Sequence, residues 1–251
     1  MAFNPAMQFG IKEVADVAFY KVGDIVFDPV SGAITTRPFT ASEIELVNKD
    51  ETGNTVVKIE PVLKFDTLKT SGLEFTGETA EARGGKGNAV LLSWDHSREA
   101  TLNLEDALLS ADSLRAMLSN AAFQGDYNKK TSDNGYVAPN SIVISVDANG
   151  FPDTYTVVGK TYARATDGKD HLFTFVIFKA KVNSEASFEM SADGDPSTLS
   201  MSLKVLRCVE ADTGMGCKSG DMVKLILDEN LDTANAPSMS FPTDTLTRKT
   251  T

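Results

Sequence analysis

A chain of 251 residues with 41% hydrophobic content can bury a substantial core, either as one large β domain or as two smaller units, so disorder is not the default. Its 35 acidic residues against 24 basic ones leave a net charge of −11, which argues against gripping phosphate backbones through a basic face. No window approaches the ~20 apolar residues that span a bilayer.

The opening "MAFNPAMQFGIKEV" lacks the basic start, apolar run and small-residue cleavage site of a secretory signal, so synthesis and residence in a cytoplasm are expected. Further along, "SEIELVNK" alternates Ile44 and Leu46 with Glu43 and Glu45; "DETGN" supplies a turn, and "TVVKIE" returns with Val57 and Ile59 inward. That pattern predicts a β-hairpin.

The glycines of "EARGGKGN" hint at a phosphate loop, because clustered glycines let backbone N–H groups converge on an anion. The full pattern fails, since Ala80 and Gly87 stand where a Gly and a Ser or Thr are required, and no helix follows directly. A flexible or tightly turned connection between strands, around Gly84, Gly85, Lys86 and Gly87, is the better account.

In "WDHSREATLNLEDAL" the run Asp95, His96, Ser97 holds the three residue types of a hydrolase triad. Successive strand side chains leave opposite faces, so contiguous residues cannot converge as nucleophile, base and orienter. No enzymatic activity and no catalytic residue are expected. From Leu104 the apolar positions Leu108, Ala111, Leu114 and Leu118 recur at three and four, which predicts a helix over about 104–119. Asn103 would cap it, with Glu105 and Asp106 in the first turn. The following "NAAFQGDYNKKTSDNGYVAPN" is too polar and turn-rich to continue a helix.

The remainder reads as strands: "SIVISV", "YTVVG", "LFTFVIFKAKV", "SFEM", "STLSMSLKVL" and "MVKLIL", separated by "DANGFPD", "ATDGKD" and "ADGDPS". Asp193 and Asp195 lack the later acidic ligand of a calcium loop and read as part of a β-turn. Phe173, Phe175 and Phe178 beside Lys179 and Lys181 suggest base stacking, but in an acidic chain core packing is the stronger reading. Cys208 and Cys217 lack the partners for a zinc site and read as two reduced thiols, with a disulfide across a hairpin as the alternative. Composition thus gives a mainly β fold: a single β-rich domain over 1–228 with loop insertions, then a flexible C-terminal tail over 229–251, rich in Thr, Ser, Asn and Pro. No cofactor and no metal are expected.

The order of three blocks carries more than any single residue. "ARGGKGNAVLLSWDHSREATLNLEDALLSADSLRAML" resembles the loop, strand and helix of the major tail tube proteins of long-tailed bacteriophages. "DGKDHLFTFVIFKAKVNSEASFEMSADGDPSTLSMSLKVL" resembles their long hairpin, and "FGIKEVADVAFYKV" is similar to their N-termini. The resemblance implies a β-sandwich or barrel-like subunit with one flanking helix. Six subunits would form a ring, and stacked rings the virion's tail tube, assembled in the host cytoplasm and conducting DNA into the host.

Expected partners are then other copies of the chain, the tape-measure, tail terminator and baseplate proteins, and a sheath if the tail contracts. DNA would pass without specific binding, and no membrane is involved. Polar alternation nominates Ser187, Glu189, Thr198, Ser200 and Ser202 as lumen-facing. The stripe of Leu104, Leu108, Ala111, Leu114 and Leu118 would pack on the sheet or against a neighbour. The competing class is a β-sandwich module that binds a carbohydrate or a host surface, with Trp94 as its platform.

Overall fold

The computed structural model describes residues 8–49, 56–108, 113–114, 152–166, 168–183, 198–227 and 240–247. In chain order these form β1 (Phe9–Ile11), β2 (Asp16–Lys21), β3 (Ile25–Phe27), β4 (Ile34–Thr36), α1 (Ala41–Lys49), β5 (Val56–Ile59) and β6 (Leu63–Phe65). There follow β7 (Leu68–Gly84), β8 (Ala89–Asp106), β9 (Thr154–Ala165), β10 (Asp170–Val182), β11 (Leu199–Val205), a 3-10 helix (Glu210–Met215), β12 (Val223–Leu227) and β13 (Asp244–Thr247). The mainly β fold is as the alternation predicts.

Nine strands make one antiparallel sheet, ordered β6-β2-β9-β10-β11-β8-β7, with β1 added to β9 and β12 to β10. Phe19, Leu63 and Phe65 from one end share a single buried cluster with Leu102, Leu104 and Leu203 from the other. Two ends of a sheet reach a common core only if the sheet curls, and the result is barrel-like. The Ala15 N–H donates to Ser71 Oγ at 3.2 Å, which ties the segment before β2 to β7 across the gap.

The outer face of β2, β9 and β10 is covered as well. Tyr20, Val176 and Phe178 pack there with Ile25, Phe27 and Met215, from the β3–β4 hairpin and the 3-10 helix. Phe175 and Phe178 are buried on opposite sides of β10, and the partly buried Phe173 meets Phe9 with ring centroids 5.8 Å apart. All three aromatics therefore pack within the fold, as their apolar strand implies. Gly216 closes the 3-10 helix at φ 79°, and a Cβ there would lie 1.7 Å from the Phe27 carbonyl oxygen. Only glycine fits that approach.

Several expectations need correction. Residues 41–49 form α1 rather than the first strand of a hairpin, because Thr40 and Glu43 make a reciprocal capping box. The Thr40 N–H donates to Glu43 Oε2 at 2.7 Å, the Glu43 N–H donates to Thr40 Oγ1 at 3.3 Å, and Arg37 clamps both Glu43 oxygens. Val56–Ile59 is a strand, but its partner is β13. The predicted helix start at Leu104 is also wrong. Asn103 and Leu104 lie within β8, opposite Ser202 and Met201, and helical geometry appears at Ser113 and Leu114.

Cys208 and Cys217 are joined in a disulfide, not held as two thiols. The chain returns between them, with Gly220 donating to the Cys208 carbonyl at 2.9 Å and Cys208 to the Asp221 carbonyl at 2.7 Å. Within the expected tail, Leu246 pairs with Val57 in β13, and Phe241 is buried beneath Lys64 and Lys160. The Tyr20 hydroxyl donates to the Pro242 carbonyl at 3.0 Å, and burial raises its pKa well above the usual phenol value. The strands predicted at "SIVISV" and "SFEM" and the turn at Asp193 and Asp195 lie outside the described residues.

Candidate assembly surfaces

Three surfaces combine exposure with unusual order. The first is a polar sheet face built from β7, β8 and β11. On β11, Leu199, Met201, Leu203 and Val205 are buried while Ser200 and Lys204 are exposed and Ser202 is half-buried. This is the alternation expected of a strand with one wet face. Register places Ser200 opposite Glu105, Ser202 opposite Asn103 and Lys204 opposite Thr101. Thr70, Gly72 and Glu74 of β7 then continue the same three rows. Lys204 is held by Glu99 at 2.9 Å, so its charge is partly matched where it stands. Hydroxyls, an amide and carboxylates dominate this face.

Of the residues nominated for a lumen, Thr198, Ser200 and Ser202 lie together at or on this strand, and Ser187 and Glu189 fall outside the described residues. The proposed apolar stripe does not form a single helical face. Leu104 is a buried core residue of β8, Leu108 is exposed, and the partly buried Leu114 packs on the main core. Ala111 and Leu118 fall outside the described residues.

The second surface is an arm. β11 ends its pairing with β8 at Thr101, whereas β7 and β8 continue to a turn between Gly84 and Ala89. Gly85, Gly87 and Asn88 turn there with φ of 79°, 91° and 53°, and the Asn88 N–H donates to the Gly85 carbonyl at 3.2 Å. "GGKGN" is therefore a hairpin turn, the tightly turned one of the two connections expected of it.

At the root of the arm the register slips by one residue between Thr76 and Glu78, and Ser97 adopts φ 56° on the longer side. An extra residue on one strand reverses the facing of everything beyond it on that strand. Ala100, Leu102 and Leu104 point into the core, but beyond Ser97 the even-numbered Trp94 and Leu92 stand on the other face, opposite Ala80 and Ala82. That face continues the polar surface of the body. The arm thus exchanges its sides, and its apolar side is open: Trp94 is 53% exposed and Leu92 66%.

The Asp95, His96, Ser97 run sits at this junction. His96 Nε2 lies 3.3 Å from Glu78, while Asp95 accepts a 2.9 Å hydrogen bond from Thr79 on the opposite face. Sequence reasoning separated these side chains by strand alternation; it did not foresee the bulge at Ser97.

The third surface is a groove of about 570 Å³ between the β1–β2 segment and β7. Ile11, Val14, Leu73, Phe75, Phe173 and Leu225 line it, and Lys12 and Lys69 stand at its edge. Ile11 and Leu225 are 61% and 55% exposed, so this groove presents hydrocarbon to water. Sequence analysis missed it because its walls come from strands more than 200 residues apart. In addition, the long strand β7 pairs on only one side among the described residues.

The family model described as YomU/Tube protein family matches residues 51–129 and 135–219, well over half of the chain. No curated protein matches.

Proposed function

Because the chain belongs to the YomU/Tube protein family, and is thereby a phage tube-like structural protein of the virion, we propose that it polymerises as stacked six-membered rings. These form the tail tube of a long-tailed phage, through which DNA passes into the host. The observation that carries this reading is the continuous polar face of β7, β8 and β11. Turned toward the bore, Ser200, Ser202, Asn103 and Glu105 offer hydroxyls, amides and carboxylates to which DNA does not adhere. The one lysine of β11 on that face is matched by Glu99.

The open edge of β7 supports the same reading. A 17-residue edge that is unpaired among the described residues is a liability in a monomer and a template for pairing in a ring. The role is structural, without a catalytic step or a cofactor. Contacts with tape-measure, terminator and baseplate proteins, and with a sheath where the tail contracts, belong to the same proposal.

DNA carries about one charge per ~1.7 Å of axis, so lysines repeated around and along a tube would make the channel adhesive. Ser200→Lys with Ser202→Lys should leave tube assembly intact and slow DNA ejection, measured as dye-reported release from purified virions. Unchanged ejection from normally assembled tails would remove these residues from the bore. The exposed Trp94 favours a second reading, a module that recognises a carbohydrate or host surface. A strict monomer at high concentration that binds such a ligand through Trp94 would select it.

A further inference from the structure

We propose that the arm of one copy seats its Trp94 face in the groove of another, so that each copy donates an arm and receives one. The inference rests on the self-assembly argued above and names the surfaces that carry it. Both halves of the contact are apolar: exposed Trp94 and Leu92 with half-buried Ala80 and Ala82 on the arm, and exposed Ile11, Val14, Phe75 and Leu225 in the groove. At about 570 Å³ the groove falls within the ~300–1,000 Å³ range of sites that enclose a compact apolar group, and it has room for an indole with a leucine beside it. Charged groups accompany both surfaces: Glu78, 3.3 Å from His96 Nε2, occupies the rung next to Ala80 on the arm's apolar side, and Lys12 and Lys69 line the groove together with Glu13.

A chain cannot satisfy this contact by itself. Phe75, a wall of the groove, and Ala80, the rung partner of Trp94, are five positions apart on the same strand, which is ~17 Å at the rise of a β-strand. They also point to opposite faces of the ladder. The arm is therefore held away from its own groove and turned from it, and another copy supplies the complement. Two different patches joined in this way make a head-to-tail contact, which can repeat into a ring or a filament.

The test uses Trp94, the only tryptophan of the chain. Assembly of the full-length protein is followed by light scattering and electron microscopy while tryptophan emission is recorded. Emission should move to shorter wavelength in step with assembly. Trp94→Ala should raise the concentration needed for assembly about 30-fold, the loss typical of a central aromatic anchor. Leu225→Asp, at an exposed groove position, should do the same with an unchanged monomer circular dichroism spectrum. Trp94→p-benzoylphenylalanine, irradiated after assembly, should cross-link to peptides from 9–15, 68–75 or 223–227 of another copy.

Rings or tubes whose Trp94 emission stays that of a solvated indole, or whose cross-links fall on other peptides, overturn the docking and leave the tube reading standing. A chain that remains monomeric at every concentration overturns both.

Discussion

Removal of the Cys208–Cys217 disulfide tests how the outer layer is held. The bond closes a loop with a sequence separation of nine, and both cysteines are buried, at 1% and 3% exposure. The loop carries the 3-10 helix whose Met215 fills the outer cluster, and Asp212 within it accepts from Lys179 at 3.1 Å and from the Val209 N–H at 2.8 Å. With about ten residues in the ring, the chain-entropy relation gives ~9 cal/mol/K, or ~2.7 kcal/mol at 25 °C. Cys208→Ala with Cys217→Ala should therefore lower the urea midpoint by about 1 M for a slope of ~2.5 kcal/mol/M. The thermal midpoint should fall by roughly 5–11 °C for a chain of this size. Wild-type protein unfolded in the presence of dithiothreitol should coincide with the double variant, because the constraint acts on the unfolded chain. Equal midpoints with and without the bond would refute the reasoning and assign the loop's stability to its packing alone.

The capping box makes two tests of α1. Thr40→Ala should cost about 1 kcal/mol of unfolding free energy in a denaturant titration. Hydrogen bonding by Arg37, then by the Thr40 N–H, lowers the Glu43 pKa from 4.5 to about 2. A carboxylate with a depressed folded pKa contributes stability that is complete above its unfolded value and fades as pH falls through the folded one. The difference in thermal midpoint between wild type and Glu43→Gln should thus be full above pH ~5 and close as pH approaches ~2. In the C-terminal region, Phe241→Ala should destabilise the fold by about 3 kcal/mol and expose residues 240–247 to limited proteolysis. A cut pattern identical to wild type would mean that Phe241 does not hold that segment.

Much of the fold was legible because period-2 alternation is local. Leu199 to Val205 alternates without exception, and the structure buries and exposes those residues in turn. The same signal misled at Ile44 and Leu46, where four alternating residues mimic a strand. In α1 those two side chains are largely exposed, and Val47 is buried, at 2%. The better signal was T-x-x-E at Thr40 and Glu43, since a cap states where a helix begins whereas a short alternation is shared by many conformations. Likewise, Leu104 and Leu108 fit a helical spacing, but "ATLNLED" also alternates, and its ladder partners on β7 and β11 decide the outcome. The strand ends after Asp106, whose carboxylate accepts from Thr67 Oγ1 at 2.6 Å and receives the Leu108 N–H at 3.4 Å.

The candidate surfaces were legible only in part, for two physical reasons. The polar face of β11 follows from its own alternation, but its width depends on β7 and β8, which pairing brings beside it from about 100 residues away. The arm's facing depends on a single inserted residue. Counted without the bulge, Trp94 shares parity with Ala100, Leu102 and Leu104 and belongs to the core; counted with it, Trp94 stands on the opposite side, in solvent. One residue at φ 56° thus moves Trp94 to the other face of the ladder, and beyond the body both faces from Ala89 to Glu99 are exposed. Exposing an indole and a leucine in water gains a monomer nothing, since each would release ~1.5–3 kcal/mol on burial. Under the docking proposed above, an arm that carries that cost along a stiff ladder is stabilised when copies meet. In the docking proposed above, the bulge at Ser97 sets which face of the ladder presents Trp94 and Leu92 to the neighbouring copy.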